Sequence, residues 1–407
     1  MVLGAVFLSV TGAEVLYADL GHFGTRPIRL MWYGIVLPSL TLTYFGQGAM
    51  LLRQPEVATQ LFYAMVPNWA LIPMVGLTTV ATVIASQAVI TGIFSLTRQA
   101  VSLGYLPRLQ VVHTSSQFLG QIYTPQMNWL LMLATLGLVI NFQSSTNLAA
   151  AYGIAVSSVM LISSVLFYFV VRLHWRWSKL TAGLLTSLFL LVDLSFFSAN
   201  LSKIMHGAWL PLLIGVVLFA ITTTWRRGRK LLNEQLIAMS VPLSDFVQEL
   251  QKQRFRRIEG SAIFLSGQPD TVPVALMHNL KHNKGIHTQV AVLHFVRAGV
   301  PRLANQDKLQ VAELGQGFYK FEMSYGFMEQ PNVPLALSLA ATLGIDFPLN
   351  QTSYFIGREK VVFSGSRIIS RWRAHLFSFL ARNAYDASAY YGIPERQVME
   401  VGVQLKF

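Results

Sequence analysis

The sequence contains no cysteine and has few charged residues for its length. Without cysteine, disulfide bonds, thiolate catalysis and cysteine-ligated metal sites are all excluded. Only 12% of the 407 residues are charged and 53% are hydrophobic, which is too apolar for an ordinary soluble domain. The sequence also lacks a glycine-rich phosphate loop, a nucleophile elbow and a pair of catalytic carboxylates. The composition therefore predicts a membrane protein and gives no support to an enzyme.

Acidic residues are scarcer than basic ones, with 18 Asp and Glu against 31 Lys and Arg. In a soluble protein, the resulting net charge of +13 would suggest nucleic-acid binding. In a membrane protein, however, a basic excess is expected in segments on the cytoplasmic side of the bilayer. We therefore predict the lipid bilayer as a partner of this chain, and no nucleic acid.

Long apolar stretches fill the first 225 residues, and a helix needs about twenty such residues to cross a bilayer. We predict seven membrane-spanning helices, at residues 1–18, 29–52, 69–96, 126–143, 148–171, 180–199 and 208–225. These make up a transmembrane domain over 1–225. Loops with several basic residues follow spans one, three, five and seven, which places those loops and the C-terminal tail in the cytoplasm.

The residues after 225 are more polar, and their pattern changes near residue 260. We predict an amphipathic linker over 226–260, with a helix break near Pro242, and a small cytoplasmic α/β domain over 261–407. Strands are predicted at residues 261–266, 289–296, 309–314, 319–324 and 397–405. Helices are predicted at residues 272–282, 333–343 and 370–382.

Two acidic residues lie inside predicted spans, where a charged group costs about 2.5–3.5 kcal/mol to insert. Glu14 follows a Thr-Gly pair that suits a helix unwinding around an ion. The alternative is an acid that is simply solvated near the interface. Asp193 stands among apolar residues of the sixth span, and either pairing with another helix or a transport role would explain it.

Hydroxyl and amide side chains accompany these acids on other spans. Ser86 and Gln87 lie on a hydroxyl-rich face of the third span, and small residues surround Tyr152 in the fifth. Small polar residues also serve helix packing in lipid, and this alternative suits most of the serines and threonines. Hydroxyls, carbonyls, a phenol and a carboxylate are hard oxygen ligands. The set therefore favours an alkali cation over a soft metal.

Two histidines of the tail, His278 and His282, lie one helical turn apart. No carboxylate accompanies them nearby and the chain has no cysteine. We therefore interpret them as packing residues rather than as metal ligands. No cofactor and no metal beyond a transported ion are predicted.

Nine motifs along the chain form a recognisable set. They lie at residues 11–24, 27–30, 44–49, 81–88, 95–100, 121–123, 147–156, 278–284 and 331–333. The first and longest reads TGAEVLYADLGHFG. On these motifs the chain resembles, over its whole length, the Kup/HAK/KT family of potassium uptake permeases.

The resemblance implies an α-helical polytopic membrane protein of the LeuT/APC inverted-repeat type, here its C-terminal seven spans, followed by the α/β domain. Such transporters hold their substrate at mid-membrane between discontinuous helices. It also implies K+/H+ symport across the plasma or inner membrane, and it is compatible with a homodimer. The family's Gly-Asp-x-Gly-Thr-Ser-Pro-Leu-Tyr stretch has no counterpart here. The chain is therefore expected to begin at the family's sixth span, without the five before it.

The candidate potassium and proton pathway combines the polar residues of the spans with these motifs. It consists of Thr11, Glu14, Tyr17, Ser86, Gln87, Tyr152 and Asp193. The resemblance places Thr11, Glu14, Tyr17 and Tyr152 on one wall of a potassium site. Two other interpretations stay open. The chain is either a transport-inactive fragment or scaffold that needs the missing half, or a membrane-anchored sensor that acts through its C-terminal domain.

Overall fold

A computed structural model of the chain describes Val6 and residues 24–56, 61–113, 122–204, 207–252, 255–362 and 370–406. The chain divides into two compact units. The first unit comprises residues 1–96 and 111–216, and the second comprises residues 97–110 and 217–407. The second unit thus joins a short internal segment to the C-terminal part of the chain.

Six helices within the described ranges are long and apolar enough to cross a membrane. They are α1 (Thr25–Arg53), α3 (Leu71–Ser102), α4 (Pro125–Phe142), α5 (Ser145–Phe169), α6 (Lys179–Leu201) and α7 (Trp209–Ala238). The helix α2 is a single turn at Leu61–Ala64, and the strands β1 (Val112–His113) and β2 (Ile122–Tyr123) pair antiparallel before α4. The six long helices coincide with predicted spans two to seven. Apart from Val6, the predicted span 1–18 lies outside the described residues.

Local sequence signals set the boundary between α4 and α5. Pro125 occupies the first turn of α4, where its missing N–H has no intrahelical partner to lose. The helix ends at Gln143, which adopts the left-handed conformation with φ of 54°. The next helix begins at once, because the Ser144 side chain accepts the backbone N–H of Asn147 at 3.3 Å. Two residues therefore separate two helices of spanning length.

A short polar connection joins α5 to α6. The helix α5 passes into a π-helical turn at Val170–His174, and the rings of Trp175 and Trp177 follow with their centroids 5.8 Å apart. Ser178 then caps α6, accepting the backbone N–H of Thr181 at 3.1 Å. The connection is short enough for α5 and α6 to pack against each other as an antiparallel pair.

The second unit contains a six-stranded sheet, which confirms the predicted α/β domain. Its strands are β3 (Arg256–Ser266), β4 (Gly285–Arg297), β5 (Leu309–Gly315), β6 (Phe318–Tyr325), β7 (Thr352–Val362) and β8 (Val398–Lys406). They are ordered β5-β6-β4-β3-β7-β8, and only the edge strand β5 runs antiparallel to its neighbour. The accompanying helices are α8 (Leu243–Lys252), α9 (Val274–Asn283), α10 (Val333–Thr342), α11 (Arg371–Arg382) and the short α12 (Ala387–Tyr390).

Helices cover both faces of the central strands. Ile263 of β3 packs into a buried cluster with Ala336 and Ala340 of α10. Its neighbours Ala262 and Phe264 pack into a second cluster that includes α8 and α9. Successive side chains of a strand point to opposite faces, so β3 contributes to both cores. The result is a parallel sheet buried on two sides, as is usual for α/β domains.

All five predicted strands and all three predicted helices of the tail are present, with ends shifted by a few residues. The strand β7 is missing from the prediction, because Gly357 and the charged run 358–360 interrupt its apolar pattern. The helix break near Pro242 is confirmed, since α7 ends at Ala238 and α8 begins at Leu243. The segment 226–260, predicted as a linker, consists of the end of α7, α8 and the start of β3.

Candidate functional site

The predicted pathway residues that the structure describes lie on three helices of the first unit. Ser86 and Gln87 are on α3, Tyr152 is on α5 and Asp193 is on α6. Thr11, Glu14 and Tyr17 lie outside the described residues, so their role stays a prediction.

The hydroxyl groups of Ser86 and Thr91 on α3 bond to carbonyl groups of their own helix. Ser86 Oγ donates to the carbonyl oxygen of Val83 at 2.8 Å, and Thr91 Oγ1 donates to that of Gln87 at 2.9 Å. A hydroxyl that gives its proton to the backbone still has acceptor lone pairs on its oxygen. This face of α3 therefore offers acceptor oxygens, which suit both a cation pathway and contact with a neighbouring helix.

Asp193 of α6 is paired with Ser164 of α5. The Ser164 hydroxyl donates to Asp193 Oδ2, and the Asp193 side chain is only 5% exposed. A buried carboxylate is costly unless hydrogen bonds stabilise it, so this bond helps to explain how the acid is tolerated. An ionised carboxylate has about four lone-pair sites. One hydroxyl leaves acceptor capacity for a proton or a cation.

A second polar cluster lies where the backbones of α5 and α6 approach closely. A Cβ atom added at Gly153 would lie 2.7 Å from Asn200 Oδ1, so only glycine fits there without a shift. Asn200 is completely buried, and its amide donates to the carbonyl of Phe196 at 3.1 Å. Lys203 Nζ donates to Asn200 Oδ1 at 3.4 Å. A polar amide oxygen is thus held against the backbone next to Tyr152.

The two clusters lie at different levels of the α5–α6 pair. Tyr152 and Ser164 are twelve residues apart on one helix, which corresponds to about 18 Å along its axis. The structure thus places Tyr152 and Asp193 on neighbouring helices without bringing them into one site. Tyr152 shares its level with Asn200, and Asp193 shares its level with Ser164.

Sequence reasoning missed Ser164, Asn200 and Lys203. Asn200 stands at the end of an apolar span, where an amide resembles an ordinary interfacial residue. Its one visible signal is Gly153, which belongs to a run of small residues that permits close backbone approach. The pairing of Ser164 with Asp193 depends on the register of two helices, which composition does not set.

The second unit has its own contact network, between the last turn of α3 and the sheet domain. The Arg98 guanidinium donates to the carbonyl of Met328, and the Ser102 hydroxyl donates to the carbonyl of Phe327 at 3.4 Å. In the opposite direction, the Arg297 guanidinium from β4 donates to the carbonyl of Ser102. A cation at the C-terminal end of a helix is favourable, because the helix dipole is negative there.

A partly buried carboxylate holds the turn that accepts these bonds. Glu329 accepts the backbone N–H groups of Gly326 at 2.7 Å and Leu303 at 3.3 Å, and it pairs with Lys308 Nζ at 2.9 Å. Burial by itself raises the pKa of Glu329, but these hydrogen bonds and the Lys308 charge outweigh it. The net effect is a pKa below the usual range of a glutamate.

The rest of the segment 97–110 is also hydrogen-bonded to other parts of the second unit. The backbone N–H of Tyr385 donates to the carbonyl of Arg108 at 2.7 Å. Arg226 of α7 donates to the Tyr105 hydroxyl at 2.9 Å and lies 5.0 Å from the centre of the Tyr105 ring. The α/β domain and the end of α7 thus hold the loop that follows α3.

The histidines of α9 stack on each other. The ring centroids of His278 and His282 are 5.9 Å apart, with 19° between the ring planes. In the described ranges, no three His, Cys, Asp or Glu residues come together as a candidate metal site.

Comparison with protein families matches both parts of the chain. The model of the K+ potassium transporter integral membrane domain matches residues 1–230, and that of the K+ potassium transporter C-terminal domain matches residues 259–407. The chain belongs to the Kup/HAK/KT family of potassium transporters. The predicted resemblance is therefore confirmed.

Individual Kup relatives match along the whole chain. The Probable potassium transport system protein Kup of Chlorobaculum tepidum is 53% identical over 406 residues, which cover 100% of this chain and 66% of the relative. Its counterpart in Chlorobium phaeobacteroides is 52% identical and covered to 64%, and Kup 2 of Dechloromonas aromatica is 48% identical and covered to 65%. The chain therefore spans just under two thirds of the length of these relatives.

Proposed function

We propose that this Kup-family chain carries potassium ions across a cell membrane. The observation that carries the proposal is the α5–α6 pair, in which Asp193, Ser164 and Asn200 place oxygen atoms inside helices of spanning length. Polar groups at membrane depth commonly mark ion pathways. Carboxylate, hydroxyl and amide oxygens suit a hard cation, and relatives at about half identity are named as potassium transport proteins.

The proposed pathway has two kinds of residue. Thr11, Glu14, Tyr17 and Tyr152 form a wall of the potassium site, and the Asn200 oxygen beside Gly153 joins them at the level of Tyr152. Ser86 and Gln87 extend the polar surface along α3. Proton coupling belongs to the carboxylates, Glu14 and Asp193, because each can carry a proton in one state and a negative charge in another. Transport is then K+/H+ symport and needs no cofactor.

The arrangement in the cell follows from the charge pattern. Arginine-containing loops and the basic residues after Trp225 support a cytoplasmic α/β domain, and the proposed location of the helices is the plasma or inner membrane. The LeuT/APC inverted-repeat type remains the proposed fold of the membrane helices, and a homodimer the proposed assembly.

The contacts of the segment 97–110 favour a role for the α/β domain in transport. The domain binds the last turn of α3 through Arg98 and Ser102, and α3 also carries Ser86 and Gln87. A ligand or charge change in the α/β domain can therefore act on α3 through one continuous helix. This contact favours a domain that regulates transport over a separate, membrane-anchored sensor.

Potassium-dependent growth tests the proposal. The 407-residue chain is expressed in cells that lack their own potassium uptake systems, with membrane insertion measured in the same cells. The expected result is growth at low potassium. The C. tepidum relative is the positive control. If the relative supports growth while the inserted chain does not, the chain alone does not transport. Supplying the part of the relative that it does not match then shows whether the site needs those residues.

Substitution of Glu14 tests the assignment of the site. Glu14→Gln keeps the shape of the side chain and one acceptor oxygen, and it removes the charge. We expect potassium uptake to fall by about tenfold or more, which corresponds to roughly 1.4 kcal/mol or more of lost interaction with the cation. The exposed Glu56→Gln is the matched control, and it should transport normally. Wild-type uptake by Glu14→Gln would remove Glu14 from the pathway.

A further inference from the structure

The helix α11 has a face of aromatic and basic residues that the described contacts leave uncovered. Trp372 and Phe379 are 53% and 61% exposed. They are seven residues apart, which is about two helical turns, so they lie on one side of the helix. Arg371, His375 and Arg382 occupy the adjoining stripe, and all three are exposed. The opposite side, with Ala374 and Phe377, is buried.

The charge of this face has one sign. Residues 370–385 contain no Asp or Glu, while α11 contributes three arginines and a histidine. Arg373 lies against the Trp372 ring, with 5.2 Å between the guanidinium carbon and the ring centre. Basic residues beside exposed aromatic rings are typical of helices that lie in the interface of an anionic membrane.

The contacts of α11 place it at the end of a membrane-spanning helix. The rings of Phe377 and Trp225 are 5.3 Å apart, and Phe377 also covers Gly228 of α7. Residues 209–225 of α7 carry no charge, and residues 226–230 read RRGRK. Trp225 therefore marks the change from apolar to basic sequence, which is where a spanning helix leaves the hydrocarbon core. The helix α11 packs at that level.

We infer that α11 is an interfacial helix that binds the anionic lipid surface on the side where α7 leaves the membrane. Trp372 and Phe379 insert at the level of the headgroups. Arg371, Arg373 and Arg382 bind lipid phosphates, in line with the preference of polybasic segments for anionic leaflets. The inference depends on the placement of α7 in the membrane and not on potassium transport.

The absence of cysteine allows a direct test on the full chain. An environment-sensitive fluorophore is attached to the cysteine of Phe379→Cys. The protein is reconstituted in phosphatidylcholine vesicles with or without phosphatidylglycerol. Nitroxide-labelled lipid in the vesicles quenches a fluorophore that reaches the bilayer. Leu343→Cys is the matched control, because Leu343 is 60% exposed in the same unit. We expect several-fold stronger quenching at position 379 than at 343, and a further increase with phosphatidylglycerol that high salt reverses.

A charge-removing variant distinguishes the contribution of the arginines to lipid binding from that of the aromatic residues. Arg371→Gln/Arg373→Gln/Arg382→Gln should abolish the phosphatidylglycerol-dependent part of the quenching. The control Lys281→Gln/Lys284→Gln/Arg396→Gln removes three exposed charges elsewhere in the unit and should keep it.

Two results would overturn the inference, and neither depends on how the arginine variants fold. One is equal, weak quenching at positions 379 and 343 in both lipids. The other is protection of the fluorophore at position 379 from quenching that does not depend on lipid composition and rises with the protein-to-lipid ratio. That second result would identify another copy of the chain as the occupant of this face.

Discussion

At the scale of single residues, the contact between Gly153 and Asn200 fixes how closely α5 and α6 approach. Gly153→Ala places a methyl group 2.7 Å from a buried amide oxygen, and both neighbours lie in rigid helices. We expect a loss of about 1–3 kcal/mol in the free energy of unfolding, as for other overpacked interiors. Thermal unfolding in detergent, followed by the loss of helical circular dichroism, measures it.

Gly183→Ala is the control for this substitution. Gly183 lies in the partner helix α6, and an added Cβ there meets nothing within 4 Å. Because alanine has the higher helix propensity by about 1 kcal/mol, this variant should be neutral or more stable. Equal unfolding temperatures for the two variants would show that the Gly153 contact does not limit the packing.

Substitution of Asp193 distinguishes a structural role of this residue from a role in proton coupling. Asp193→Asn keeps an oxygen that accepts the Ser164 hydroxyl, so the protein should fold, but it removes the group that can gain or lose a proton. We expect potassium uptake to lose its dependence on the pH gradient. Uptake into vesicles at several external pH values measures this. A purely structural Asp193 predicts an unchanged pH profile, and that outcome would contradict its role in the pathway.

At the scale of elements, Glu329 makes the contact between the α/β domain and the last turn of α3 sensitive to acid. Its folded-state pKa is lowered, so its contribution to stability is present above the pKa of an unfolded glutamate and is lost as pH falls through the folded value. We expect the segment 97–110 to keep its protection against hydrogen exchange in mildly acidic buffer and to lose it only as pH falls below the pKa of an unfolded glutamate. Glu329→Gln should show weaker protection already at neutral pH, by about 1–3 kcal/mol, and a flatter pH dependence.

Asp307→Asn is the control for the acid sensitivity. Asp307 is an exposed carboxylate in the 3-10 turn next to Lys308, and neutralising it should leave protection of the segment unchanged. If Glu329→Gln and the wild type share one pH profile, the Glu329 carboxylate does not hold the turn that binds α3.

The packing of α7 against α11 depends on one small residue. An added Cβ at Gly228 meets the Phe377 ring, and Phe377 is only 2% exposed, so the ring has little room to move. Gly228→Ala should loosen α11, with hydrogen exchange of residues 371–382 faster by about tenfold for each 1.4 kcal/mol lost. Gly215→Ala, in the same helix with open space around it, should leave that exchange unchanged.

Elements with a strong hydrophobic pattern were predictable from the sequence. Contacts that end on backbone groups were not. The spanning helices follow from apolar runs of sufficient length, and strands such as β4 follow from β-branched residues between turns. The strand β7 was not predictable in this way, because charged residues occupy its interior. The bonds from Arg98 and Ser102 end on carbonyl groups of Met328 and Phe327, and every residue has a carbonyl. Only the fold brings these particular carbonyls to α3.

At the scale of the whole molecule, two family models together match residues 1–230 and 259–407 of the chain. The family identity could be obtained from sequence, because long motifs such as residues 11–24 are specific. The proposed site is only partly described, since Thr11, Glu14 and Tyr17 lie outside the described residues. What the structure adds is the α5–α6 pair, with an acid at one level and an amide beside a tyrosine at another.

Ion flux into vesicles shows whether this chain carries potassium. The purified chain is reconstituted into liposomes, an inward proton gradient is imposed, and uptake of a rubidium tracer is followed with excess potassium or sodium as competitor. We expect uptake above that of empty vesicles, competed by potassium but not by sodium, and dependent on the proton gradient. An inserted, folded chain that gives no flux, while the C. tepidum relative transports in the same vesicles, would contradict the claim that this chain carries potassium.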